Sequence, residues 1–195
     1  MKAGVVAVQG DVSEHINTLQ AAIDIRRPGG RAVMVRSAKD LETVESLIIP
    51  GGESTTISKL LVRFGLFDAI VKRADEGMPV MGTCAGCILM AKKGDEQVGR
   101  TGTRLLGLMD MKVDRNFFGR QRESFEASLS IDSIVDHFSG VFIRAPAITE
   151  VWGDCRPLSR FDDKIVMAKQ GSLMALAFHP ELSGSTALHE AFLAI

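Results

Sequence analysis

The chain opens on an unbroken apolar run, Ala3-Gly4-Val5-Val6-Ala7-Val8, of the kind a strand shows when both its faces are covered. The run stops at Gln9-Gly10. Apolar positions then respace to Val12, Ile16, Leu19 and Ile23, the period of a helix, and Asp11 with Glu14 three residues on predicts a reciprocal capping pair at its start. After Pro28-Gly29-Gly30, residues 32–35 and 47–49 predict two more strands, both too short and too apolar to be exposed. Residues 54–64 and 67–74 carry apolar positions at helical spacing, with Gly65 and Gly77 as stops. A fourth strand at 79–83 runs directly into a helix at 85–91. This alternation predicts a parallel sheet with helices on both faces.

Further along, the period drops to two. Met109, Met111 and Val113 alternate with polar residues, as do Phe125, Ala127, Leu129 and Ile131, and strand-like runs follow at 141–144, 165–170 and 173–178. Asp162-Asp163 and Gly171-Ser172 supply tight turns, so antiparallel hairpins are expected here. Residues 185–195 predict a closing helix with Leu188 and Phe192 inward. No repeat, low-complexity tract or linker divides the chain, and a single domain over 1–195 is expected.

Composition narrows the function classes. At 195 residues, 46% hydrophobic and 24% charged, the chain is long enough to bury a core without disulfides or metal. A net charge of -1 with no block of Lys or Arg argues against nucleic acid, and the apolar runs fall short of the ~20 residues that span a bilayer. Three cysteines cannot pair completely, and the chain lacks a secretory start. A reducing, cytoplasmic setting is expected.

Gly82-Thr83-Cys84-Ala85-Gly86 places a nucleophile between two glycines at a strand-to-helix junction. Such a turn forces its central residue into strained backbone, the glycines remove clashing Cβ atoms, and the helix start favours thiolate over thiol. A buried cysteine in an ordinary turn satisfies the same pattern. Phe178-His179-Pro180-Glu181 follows an apolar strand; residues i and i+2 of an extended segment share a side, so Glu181 reaches the ring of His179 and fixes its tautomer. Thiol, imidazole and carboxylate then form a nucleophile, a general base and an orienting group for acyl transfer. A packed histidine beside a solvated glutamate is the plainer alternative. Pro50-Gly51-Gly52-Glu53-Ser54 is a further strand-to-helix turn whose glycines let backbone N–H groups approach a ligand, and Gly51 with Ala85 are the candidate oxyanion donors. Neither glycine pattern of nucleotide binding is present, and no ligand spacing suggests a metal.

Gly-Thr-Cys-Ala-Gly followed by His-Pro-Glu, with Pro-Gly-Gly-Glu-Ser ahead of both, resembles the class I, triad-type glutamine amidotransferases. Val8-Gln9-Gly10, Glu14-His15, the block from Arg115-Asn116 through Phe118-Gly119-Arg120-Gln121, Ser124-Phe125-Glu126, Val141-Phe142-Ile143-Arg144-Ala145-Pro146 and Ala168-Lys169-Gln170-Gly171 resemble the branch that supplies ammonia for pyridoxal 5'-phosphate synthesis. The resemblance implies an α/β, flavodoxin-like three-layer sandwich, mostly parallel at its centre with antiparallel hairpin additions in the second half. It implies hydrolysis of L-glutamine to glutamate and ammonia without a cofactor, with Cys84 as nucleophile, His179 as acid and base, and Glu181 as orienter. By the same resemblance, glutamine contacts fall on Gly52, Glu53, Ser54, Arg115, Ile143 and Arg144, and Gln9 and Gly10 are candidates for an activation switch. The implied partner is a TIM-barrel synthase subunit in a large ring assembly, because little of the chain is left to consume the ammonia. Asp11 and the basic segment 24–30 depart from the family pattern. Cys87 reads as core filler, and Cys155, His137 and His189 as structural or surface residues. A glutaminase serving another synthase, or a non-catalytic binding or redox module with Cys84 as its thiol, are the competing hypotheses.

Overall fold

The computed structural model describes residues 1–115, 117 and 124–195. In chain order the first half comprises β1 (Lys2–Val6), α1 (Val12–Arg26), β2 (Arg31–Val35), α2 (Ala38–Leu41), β3 (Ser46–Ile49), α3 (Ser54–Arg63), α4 (Leu66–Asp75), β4 (Val80–Thr83) and α5 (Ala85–Met90). The second half adds β5 (Ala91–Gly94), α6 (Glu96–Arg100), β6 (Met109–Asp114), β7 (Ser124–Ile131), β8 (Val135–Ile143), β9 (Ala147–Val151), β10 (Arg156–Phe161), β11 (Lys164–Gln170), β12 (Leu173–Leu176) and α7 (Ala187–Leu193).

The main sheet runs β2-β1-β3-β4-β12-β11-β9-β6-β5, with β10 paired to β11, and β7 and β8 form a separate two-stranded sheet. From β2 through β12 every neighbour is parallel, whereas β11 is antiparallel to β12, β10 and β9. This is the expected α/β architecture. Why the early strands read as continuous apolar runs is visible in β3: Leu47 and Ile49 pack on the side of α3 and α4, and Ile48 packs on the side of α1 and α7. Val80 and Met81 of β4 divide between the two faces in the same way.

Several expectations need correction. The strand β2 lies at the sheet edge, and Met34 is 44% exposed, so the expectation that this strand is covered fails. Its burial is limited because it has a neighbour only in β1. The predicted capping pair does not form either. Asp11 stands at the N-cap of α1, but its side chain makes no capping hydrogen bond. A capping box closes instead at α2, where Ser37 accepts from the Asp40 N–H and Asp40 accepts from the Ser37 N–H. Asp24, Ile25 and Arg26 of the segment 24–30 continue α1, and Arg26 pairs with Glu190 at 2.9 Å. Short elements at α2, β5, α6, β9 and β10 are additions to the expected list. Among the described residues, no helix is long and apolar enough to cross a membrane.

One face of α1 buries His15 with Leu19, Ala22 and Ile23, and Val12 and Ile16 pack partly buried against the same core. His15 Nδ1 lies 3.3 Å from His189 Nε2 of α7, and both rings are fully buried. Burial holds His189 at a pKa of about 4, against an ordinary 6.5. It is therefore neutral when folded and takes up a proton on unfolding at mildly acidic pH. Stability is unaffected above pH 6.5 and falls as the pH drops from there toward 4, by ~3 kcal/mol for this ring. Urea denaturation at pH 7.5 and pH 4.5 is expected to show a loss that shrinks in His189→Leu.

Candidate active site

Strand β4 ends at Thr83 and α5 begins at Ala85, so Cys84 alone makes the turn between them, at φ 48° and ψ -102°. Backbone of this kind costs about 1–3 kcal/mol and persists only where its surroundings enforce it. They do so here. The Cys84 N–H donates to the Leu176 carbonyl of β12 at 2.8 Å, and the Cys84 carbonyl accepts from Ile88 at 3.3 Å. A Cβ on Gly82 would stand 2.6 Å from the Gly86 backbone, and one on Gly86 would stand 2.1 Å from the Ile49 carbonyl. Both glycines are thus required by close backbone approach, as the sequence pattern implies.

Cys84 is 8% exposed, and its Sγ lies 3.8 Å from the Ile143 carbonyl. The other two cysteines are free and buried. Burial, reinforced by the neighbouring thiols, pushes the Cys87 pKa far up, and burial with the charge of Asp110 raises that of Cys155 to about 11. Both remain protonated and unreactive at neutral pH.

His179 follows β12, and its N–H donates to the Val141 carbonyl of β8 at 2.8 Å. Its Nδ1 stands 2.6 Å from Glu181 Oε1. Pairing of these two is as expected but the means differ: Pro180–Leu182 is a 3-10 turn, and this turn, not an extended i to i+2 spacing, brings the carboxylate under the ring. A second carboxylate shares the nitrogen. Asp11 Oδ2 lies 3.3 Å from His179 Nδ1, which accounts for the missing cap on α1. Burial opposes charge on the imidazole, but hydrogen bonds with Asp11, Cys84 and Glu181 and the charge of the sulfur outweigh it and raise the pKa to about 12. The resting ring is an imidazolium.

The two glycine turns interlock. The Asp11 N–H donates to the Gly51 carbonyl at 3.3 Å, the Glu53 N–H donates to Gln9 Oε1 at 3.0 Å, and a Cβ on Gly10 would overlap the Gly51 oxygen at 1.8 Å. Gly10 at φ 112° and Gly52 at φ 147° hold conformations that suit glycine alone. The Gly51 carbonyl is thereby turned toward the first loop and held there. Ala85 opens α5, where N–H groups have no partner within the helix.

Glu53 caps α3, accepting from Thr55 N at 3.0 Å and Thr56 N at 2.7 Å, and it pairs with Arg115 Nη2. Burial alone would raise its pKa, but the hydrogen bonds from Thr56 and Thr55 and the Arg115 charge bring it to about 2. Arg115 also donates to Thr55 Oγ1 at 3.0 Å. The two predicted ligand contacts therefore hold each other. Ser54 is buried, and its Oγ has no hydrogen-bond partner among the described residues. Ile143 ends β8 with its carbonyl toward Cys84, and Arg144 follows at φ 45°. Asn116 and the stretch Phe118-Gly119-Arg120-Gln121 lie outside the described residues. Sequence spacing missed Asp11, which with His179 and Glu181 brings three possible metal-ligand atoms within 4.8 Å of one another. The short contacts here are hydrogen bonds to the imidazole.

Residues 5–194 match the model of the SNO glutamine amidotransferase family. The pyridoxal 5'-phosphate synthase subunit PdxT of Archaeoglobus fulgidus is 52% identical over 193 residues, covering 99% of this chain and 97% of the relative. The protein of the same name from Methanosarcina barkeri is 49% identical, covering 99% and 96%. A solved glutamine amidotransferase superposes with a TM-score of 0.88 at 42% identity over 98% of this chain and 97% of the other. PurLQS from Thermotoga maritima, at 18% identity and a TM-score of 0.62 over 100% of this chain and 96% of that one, shares the fold.

A Cβ on Gly51 would stand 2.5 Å from His179 Cε1 and 3.0 Å from Asp11 Oδ2. Gly51→Ala is expected to leave the circular dichroism spectrum unchanged and to slow alkylation of Cys84 at neutral pH, since the ring must move away from its present contacts.

Proposed function

The chain belongs to the SNO glutamine amidotransferase family, and we propose that it is the glutaminase subunit of a pyridoxal 5'-phosphate synthase, hydrolysing L-glutamine at Cys84, His179 and Glu181. The observation that carries this reading is the 2.6 Å contact between His179 Nδ1 and Glu181, on a ring that also meets the sulfur of a strained, glycine-flanked cysteine. A redox or binding module has no need of that orienting carboxylate.

In the proposed cycle, Cys84 Sγ attacks the side-chain amide carbon of glutamine, and the carbonyl oxygen gains the negative charge. Glu181 fixes the ring through Nδ1, which leaves Nε2 to carry the working proton. As the tetrahedral intermediate collapses, the C–N bond breaks and His179 gives that proton to the leaving nitrogen, releasing ammonia and a γ-glutamyl thioester. The ring, now neutral, takes a proton from water; the resulting hydroxide attacks the thioester, and glutamate leaves as the sulfur recovers its charge. The oxyanion donors are assigned to Gly51 and Ala85. Gly52, Glu53, Ser54, Arg115, Ile143 and Arg144 surround the amino-acid end of the substrate, with the Glu53–Arg115 pair offering an acceptor for its ammonium and a donor for its carboxylate.

The Gly51 carbonyl is tied to the Asp11 N–H, so an oxyanion hole that uses the Gly51 region needs that tie to change. Gln9 and Gly10, pressed against the same turn, are the positions through which a docked partner would act. We assign that partner as a TIM-barrel synthase subunit in a ring assembly, the whole chain 1–195 as one glutaminase domain, and the setting as cytoplasmic. Cys84→Ala is expected to abolish glutamate release from glutamine in the presence of a cognate synthase, and the unmodified chain to turn over faster with that partner than without it. Undiminished glutamate release by Cys84→Ala would remove the triad assignment.

A further inference from the structure

Glu181 is braced on one side only by the machinery described so far. Its Oε1 accepts from His179, but Oε2 is fully buried and has no aligned hydrogen bond among the described residues. A buried carboxylate oxygen left this way costs free energy and invites a donor. The nearest is His15 Nε2, 3.1 Å away and also fully buried. The same nitrogen lies 3.0 Å from Oγ1 of Thr83, the residue directly before Cys84. From the rest of the same helix, Thr18 Oγ1 reaches the Glu181 carbonyl at 3.4 Å.

Which tautomer His15 adopts follows from its neighbours. Were Nε2 unprotonated, its lone pair would face the carboxylate, acceptor against acceptor, between two fully buried side chains. An Nε2–H tautomer removes that clash and leaves Nδ1 to accept from His189 Nε2, 3.3 Å away. We propose that His15 is a positioning residue for the triad: its Nε2–H, shared between Thr83 and Glu181, sets the angle at which Glu181 holds His179, with His189 fixing the required tautomer. This inference rests on the glutaminase reading of the site.

His15 faces Thr83 of β4, Glu181 of the 3-10 turn and His189 of α7, with His179 beyond Glu181. His179 faces Asp11, Cys84 and Glu181. Burial, with the charges of His189 and His179, keeps the His15 pKa well below 6.5. A neutral donor orients Glu181 without placing a second cation beside it in competition with His179. It also settles a competition. Two carboxylates share His179 Nδ1, and the buried one is held by a second imidazole whereas Asp11 remains 41% exposed.

The test compares His15→Leu with His15→Gln, because the Gln amide places an N–H near the Nε2 position and Leu places none. The first readout is the rate of Cys84 alkylation by iodoacetamide at pH 6 relative to pH 9, which needs neither glutamine nor a partner. His15→Leu is expected to lower that ratio about tenfold, the effect of one lost hydrogen bond to a charged group, and His15→Gln to restore most of it. Glutamate release with a cognate synthase should follow in kcat with KM unchanged. A Leu profile that overlays the unmodified chain, or a Gln variant as impaired as Leu, would overturn the proposal. Should His15→Leu not fold, His15→Asn replaces it: its shorter amide falls short of Glu181, so its ratio should drop while that of His15→Gln holds, and equal ratios would overturn the proposal. Absence of glutamate release by the unmodified chain with its synthase would count against the glutaminase reading alone, since the alkylation ratio still decides the role of His15.

Discussion

Everything at this site hangs on the close approach of two backbones. Gly86 in the first turn of α5 lies so near the Ile49 carbonyl of β3 that no side chain fits between them. That contact brings the helix down onto the sheet immediately after β4, and the only conformation that joins strand to helix there is the left-handed one taken by Cys84. The strain is stored locally and balanced by a hydrogen bond to β12, by packing on both faces of the sheet and by the absence of a Cβ at Gly82. Because β12 is parallel to β4 and in direct register with it, the residues that follow β12 emerge beside the cysteine. The position of His179 is thus a consequence of strand pairing.

How well a residue could be read from the sequence depended on how local its reason is. Gly82, Cys84 and Gly86 were legible because the turn is made within five consecutive positions. His179 and Glu181 were legible as a pair for the same reason, although the 3-10 turn that joins them was not. Asp11 and His15 were not, since their partners lie far along the chain, and Asp11 resembled an ordinary helix cap until the fold brought an imidazole to it. Glu53 shows a subtler difference: its type and position suggested a ligand contact, while the structure gives it a cap and an ion pair as well.

The fold follows the same division. Strands buried on both faces announce themselves as apolar runs, and β1, β3 and β4 were read accordingly. Strands β5 and β10 are polar, and their pairings shift register between Ala91 and Lys93 and between Pro157 and Ser159, which breaks the alternation that marks a strand. For β2 the composition was read correctly and the surroundings were not: nothing in the four apolar residues Ala32-Val33-Met34-Val35 says whether one neighbouring strand is present or two.

The order of the elements along the chain has a further consequence for biosynthesis. Cys84 belongs to the early parallel unit, whereas the strand that holds its N–H and the imidazole of His179 come from near the other end. At ordinary elongation rates that interval is on the order of ten seconds, during which a ribosome carries a chain with its cysteine made and its histidine still unwritten. Cys84 and His179 come together only when β12 inserts beside β4, so assembly of the site and completion of the sheet are a single event.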